Sequence, residues 1–157
     1  MKTIAYVSLL AFGGGLAIYG VGCGCTEVGC SSGTSTTLAT EIVTNTDLEG
    51  ATVEACVNDS CTTGTLTTSG SDLFCESQGS GVPFLECSTR VTAAGIEIDV
   101  SLLIADDDAE DGDVYSFRVL SPADPEEVVA EKSGEVEYQV NEPNGSFCGP
   151  TCKNATL

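Results

Sequence analysis

The chain has no histidine and no tryptophan. The first absence removes Ser-His-Asp and Cys-His catalysis and every imidazole metal ligand. The second matters because the aromatics after residue 22 are only Phe74, Phe84, Phe117, Phe147, Tyr115 and Tyr138. Carbohydrate recognition thereby loses its commonest tool, the exposed aromatic platform. Positive charge is nearly as scarce: five Lys and Arg face 24 Asp and Glu, a formal charge of −19. Such a field repels the phosphates of nucleic acid and a bare anionic membrane surface, so no nucleic-acid partner is expected. Paired carboxylates are the only general acid/base equipment left, and among 24 acids some pair always looks suitable. The expectation is therefore that the chain is not an enzyme.

What is present starts with Cys23. It follows a leader, residues 1–22, in which Lys2 is the single charge and the last residues are Gly20-Val21-Gly22. A positive start, an apolar stretch, small residues and then a cysteine outline a bacterial lipoprotein signal peptide. Gly20 departs from the aliphatic residue such signals usually carry there, while Val21 and Gly22 conform. A permanent membrane helix needs about 20 apolar residues. Gly13-Gly14-Gly15 interrupts this run, each glycine weakening a helix by roughly 1 kcal/mol. Cleavage nearby without lipid and an uncleaved anchor are the alternatives to cleavage before Cys23 with acylation of its thiol, which is the expected outcome.

Nine cysteines are an odd number. With Cys23 lipidated, Cys25, Cys30, Cys56, Cys61, Cys75, Cys87, Cys148 and Cys152 remain, enough for four disulfides in an exported chain. No Cys-x2-Cys pair is present to suggest a metal site. Cys56 and Cys61 flank Asn58-Asp59-Ser60 and suit a bridge across a hairpin, Cys75 with Cys87 would close a loop, and Cys25 and Cys30 are candidates to join Cys148 and Cys152. The connectivity stays open, since eight cysteines allow 105 pairings.

Removing the leader leaves 135 residues with four basic against 24 acidic side chains, a balance of −20. That is the size of one domain. Residues 23–35 read as a short membrane-proximal tether and 36–157 as the domain. From Thr36 the hydrophobic period is two. Ile96, Ile98, Val100, Leu102 and Ile104 share one face, as do Tyr115, Phe117 and Val119. Further strands are expected over 36–43, 51–57, 84–91, 128–130 and 136–140. Tight reversals are expected at 48–50, 58–60, 93–95 and 133–134, and residues 68–82 read as a polar loop around Cys75. Asp124-Pro125-Glu126-Glu127 carries the marks of a helix start, but Val128-Val129 favours extended chain. The fold class is all-β: an antiparallel, immunoglobulin-like β-sandwich of about seven to eight strands, stapled by disulfides.

Residues 106–113 pack six acids into eight positions. Clustered carboxylate oxygens suit a hard cation, which makes Asp106, Asp108, Asp111 and Asp113 candidate ligands of a weak Ca²⁺ site. The spacing does not fit an EF-hand: with Gly112 as its sixth residue, Arg118 would fall where a bidentate glutamate belongs. The plainer reading is a solvated hairpin tip, with no cofactor bound. The sequons at Asn58, Asn144 and Asn154 are read as chance beside a lipoprotein leader.

Both ends of the mature chain carry a further pattern. The opening Cys25-Thr-Glu-Val-Gly-Cys30-Ser-Ser-Gly and the ending Pro143-Asn-Gly-Ser-Phe-Cys148-Gly-Pro-Thr-Cys152 resemble uncharacterised lipoproteins of myxobacteria. Those pair a Cys-Thr-x-Val-Gly-Cys start with a Pro-Asn-Gly-x-x-Cys-x-Pro-x-Cys end. The resemblance covers the ends well and the middle only in pattern. It implies an envelope location and a sandwich-like domain, and no activity. The expected protein is thus a lipid-anchored, non-enzymatic structural or protein-interaction module of the bacterial cell envelope, on the outer rather than the inner membrane. Its partners would be the membrane, through lipid such as palmitate at Cys23, and other envelope or surface proteins. The alternatives are a Ca²⁺-dependent adhesion or binding module and a carboxylate-based hydrolase.

Overall fold

The structure, a computed structural model, describes residues 29–77, 81–146 and 148–157. Among them the chain forms β1 (Ser32–Ala39), α1 (Asn45–Leu48), β2 (Thr52–Val57), β3 (Ser60–Thr65), β4 (Thr67–Ser69), β5 (Asp72–Glu76), β6 (Phe84–Thr92), β7 (Gly95–Ile104), β8 (Val114–Leu120), β9 (Val128–Glu135), β10 (Gln139–Asn141) and β11 (Cys152–Thr156). One sheet has the order β10-β11-β1-β7-β6-β5-β4, the other β3-β2-β8-β9. All pairings are antiparallel except β1 with β11. The expected all-β, disulfide-stapled sandwich is the fold found.

The period-two pattern places the core between the sheets. Ile96, Ile98, Val100, Leu102 and Ile104 of β7 are all buried, as are Leu85 and Cys87 of β6. Val53 and Ala55 of β2, and Tyr115, Phe117 and Val119 of β8, are buried from the other sheet. The Tyr115 and Phe117 rings lie 6.1 Å apart, centroid to centroid. Burying each large aliphatic side chain contributes about 1.5–3 kcal/mol, so this double row is the main source of cohesion.

Two glycines mark places where backbone meets backbone. Gly33 in β1 has φ +152°, and a Cβ there would sit 2.1 Å from the Leu102 carbonyl oxygen. Only glycine lets β1 lie so close to β7. Gly64 faces Val53 across one edge and bridges to Ser77 across the other, in the same register that sets Thr67 against Phe74. β3 and β4 therefore behave as one bent strand that passes from one sheet into the other and closes this flank. A Cβ at Gly64 would lie 3.1 Å from Cys75 Sγ. Small residues at sheet corners serve this purpose.

Several expectations need correction. Eleven strands are seen among the described residues where about seven to eight were expected. The supposed polar loop over 68–82 contains β4's end and all of β5, with Leu73 fully buried. Ser133 and Gly134 do not turn; β9 runs through them opposite Ser116 and Tyr115. β1 begins at Ser32, so the last residues assigned to the tether belong to the sheet. The extended chain favoured at Val128-Val129 is found, by contrast: the Asp124 carboxylate accepts from the Glu126 amide and its carbonyl from the Glu127 amide, a turn that releases the chain into β9.

Candidate functional site

Strand directions gather the chemistry-bearing residues at one end of the sandwich, here the proximal end, where the described chain begins. Ser32 pairs with Ile104, Cys30 is disulfide-bonded to Cys152, and Asn58 at the β2–β3 turn bonds to the β8 start. The acidic segment lies here too. It is not a hairpin tip, because β7 and β8 belong to different sheets; it is the crossover between them.

The crossover is tied down almost residue by residue. After a single 3₁₀ turn (Asp106–Asp108) Ala109 is buried, and Lys153 Nζ donates to its carbonyl at 2.6 Å. Asp106 accepts from Ser32 Oγ at 2.6 Å, and Ser32 Oγ itself accepts from the Lys153 amide. Asp111 accepts from the Tyr138 amide at 2.9 Å. Asp113 is buried, 7 % exposed, and its carboxylate takes three donors: Asn58 Nδ2 (2.9 Å), the Glu110 amide (3.0 Å) and the Tyr138 hydroxyl (3.2 Å). A buried carboxylate must be bonded this fully to repay its desolvation.

Asn58 completes the arrangement. It holds φ +51°, a conformation Asn accepts better than most residues, and its Oδ1 accepts from the Val114 amide. The Tyr138 and Tyr115 hydroxyls lie 2.5 Å apart. Burial, then the bond to Tyr115 and the facing Asp113 charge, push the Tyr138 phenol well above the ordinary tyrosine range.

This geometry does not bring the four proposed calcium ligands together. Asp106, Asp111 and Asp113 each serve different protein donors, and only Asp108 has no such commitment. Among the described residues no three His, Cys, Asp or Glu side chains converge as a metal site. The acids act as acceptors for the loop's own architecture.

Beside the crossover a cleft of about 530 Å³ opens between the sheets. Val57, Val82, Pro83 and Ile104 give it apolar walls, and Asp59 and Asp108 stand in its lining. Val82 is 56 % exposed. The volume lies in the range of ligand pockets, about 300–1,000 Å³.

The cysteines fall as their spacing suggested where they are described. Cys56 pairs with Cys61 across the β2–β3 hairpin, and Cys75 with Cys87 between β5 and β6. Cys30–Cys152 ties the start of the described chain to its last strand, and Cys148 is also disulfide-bonded. Cys23, Cys25 and the leader lie outside the described residues. No helix among the described residues is long and apolar enough to cross a membrane. The chain matches no family model, no curated protein and no solved structure.

Sequence reasoning missed the Asn58–Asp113–Tyr138 network. Each member carried a weak local signal: Asn58 sits in a turn between two cysteines, and Tyr138 in an alternating run. Nothing local relates residue 58 to 113, or 113 to 138. That proximity comes from sheet topology.

Proposed function

We propose that the chain is a lipid-anchored, non-enzymatic module of the bacterial cell envelope, exported by residues 1–22, acylated at Cys23, and serving as a structural or protein-interaction domain. The observation that carries this reading is how the start of the described chain is fastened. β1 lies inside the larger sheet, between β11 and β7, and Cys30–Cys152 fixes its foot. A domain held by its N-terminus gains from that arrangement, because a pull on the tether meets a two-sided ladder and a covalent clasp. Disulfides persist in exported proteins, and the acidic exterior keeps a crowded surface protein from sticking. From Cys23 to Cys30 the chain spans at most about 25 Å, so the domain would stand close to the bilayer. The similarity of both chain ends to myxobacterial lipoproteins points the same way.

The absence of histidine from the whole chain favours a role without catalysis. The test has two parts. Intact-mass spectrometry of protein from its native host should find a mature N-terminus at Cys23 carrying a lipid, and Cys23→Ser should release the protein from the membrane fraction. A soluble native form starting elsewhere would remove the anchor from this reading. Crosslinking in intact cells should then recover repeatable envelope-protein partners; recovering none would leave a passive coat.

A further inference from the structure

The proximal cleft combines features the fold does not require. Its apolar walls come from three separate places: Val57 at the end of β2, Val82 and Pro83 ahead of β6, and Ile104 at the end of β7. A well-packed sandwich end would close over such side chains, yet Val82 stays 56 % exposed. The two carboxylates in the lining, Asp59 and Asp108, are also left over. Asp106, Asp111 and Asp113 of the crossover serve Ser32, Tyr138 and Asn58, whereas the Asp59 and Asp108 carboxylates make no hydrogen bond or ion pair among the described residues. Exposed Arg90 and Arg118 are occupied by Glu97, Asp99 and Glu54 elsewhere.

We propose that this cleft binds an extended basic segment of a partner protein, seating one lysine or arginine between Asp59 and Asp108 while flanking apolar side chains cover Val57 and Val82. The proposal rests on the interaction-module reading above and names the partner's chemistry. Charge complementarity selects the occupant. A cation on an apolar stem satisfies both walls and carboxylates. A phospholipid headgroup would bring a phosphate against Asp106, Asp107, Asp108, Glu110 and Asp111, all in the adjoining crossover, and is repelled. An acidic second copy of this chain is repelled for the same reason.

The probe is a capped pentapeptide, Ala-Val-Lys-Val-Ala, titrated into the mature full-length protein in detergent by calorimetry, with amide shifts followed by NMR. Binding is expected to perturb Val57, Asn58 and Ala105 and to weaken as salt screens the pairing. Asp59→Asn with Asp108→Asn should weaken it by about tenfold or more, with melting temperature unchanged. Asp124→Asn with Glu126→Gln removes the same charge from the opposite end and should leave affinity unaltered. Equal weakening by the two double variants would reduce the effect to bulk attraction and overturn the site. So would equal binding of a norleucine-centred peptide, tighter binding of dihexanoyl phosphatidylethanolamine, or no binding at all. A repeatable crosslinked partner alongside a failed titration would keep the module reading and remove only this cleft.

Discussion

At the proximal end Cys30 is bonded to Cys152, Lys153 reaches the Ala109 carbonyl, and Asp106, Asp111 and Asp113 each receive protein donors. At the distal end the 40–51 loop instead lays Leu48 and Ala51 into the core beside Leu66, with backbone bonds Gly50 to Leu66 and Leu66 to Ala51. No described cysteine lies in the distal loops, and the exposed Val43 and Val91 remain at their rim. One end is closed by covalent and polar bonds, the other by apolar packing. The difference follows from what each must do. The proximal end carries a dense run of acids, which cannot be buried in oil; each must find a donor or water. The distal acids, among them Glu41, Glu49, Asp124 and Glu126, stand exposed to water, and a leucine plug closes this end.

The largest effect should come from cutting the proximal clasp. Cys30→Ser with Cys152→Ser opens a link across 122 residues of sequence. Loop-closure entropy caps that loss at about 5 kcal/mol, reached when the neighbouring Cys148 bridge is removed as well, measured as unfolding free energy in urea. Cys56→Ser with Cys61→Ser removes a bridge across a separation of five, whose ends the hairpin already holds together, and should cost about 2 kcal/mol or less. Equal losses from the two pairs would mean that loop length does not govern these bridges and that the clasp has no special standing.

The next effect separates buried from exposed acid. Asp113→Ala leaves the Asn58 amide, the Glu110 amide and the Tyr138 hydroxyl without their acceptor, and should cost about 2–3 kcal/mol. At the distal end Asp124→Ala removes a single bond to the Glu126 amide in an exposed turn and should cost roughly 0.5–1 kcal/mol. Thermal denaturation at neutral pH decides the ranking. If the Asp124 variant lost more, the polar network would be decoration on an end stabilised by its disulfide alone.

How much of this was legible beforehand depends on the range of the interactions. The five inward residues of β7 and the three of β8 could be read because burial in a strand repeats every second residue, a purely local signal. Cys56–Cys61 was read from its place across a hairpin and Cys75–Cys87 as the closure of a loop, and both bridges form. β5 was hidden because Asp72, Phe74 and Glu76 face outward and leave only Leu73 and Cys75 as an inward pair. β11 was hidden for a different reason: its parallel partner β1 lies more than 100 residues away, and its antiparallel partner β10 is only three residues long. The acidic run was visible as composition but was misplaced as a hairpin tip, because composition does not say whether two consecutive strands share a sheet.

The smallest effect is a change of slope at alkaline pH, and it isolates Tyr138. Burial and its bonds to Tyr115 and Asp113 raise this phenol above its ordinary value of 10.0. Up to about pH 9 both folded and unfolded chains keep the proton, so its contribution to stability is fully present. Above that, the unfolded chain releases the proton while the folded chain retains it. The unfolded state then binds fewer protons, and stability falls as pH rises, by no more than about 1.4 kcal/mol per pH unit for one group. Tyr138→Phe removes that proton, so its melting temperature should decline less steeply between pH 9.5 and 11 (roughly the window set by an unfolded tyrosine), after an initial loss of about 0.5–1.5 kcal/mol at neutral pH from the missing hydroxyl bonds. Parallel curves for the two proteins would place the alkaline weakness elsewhere, in the repulsion among the many acids, and would leave the Tyr115–Tyr138–Asp113 contact as packing without electrostatic consequence.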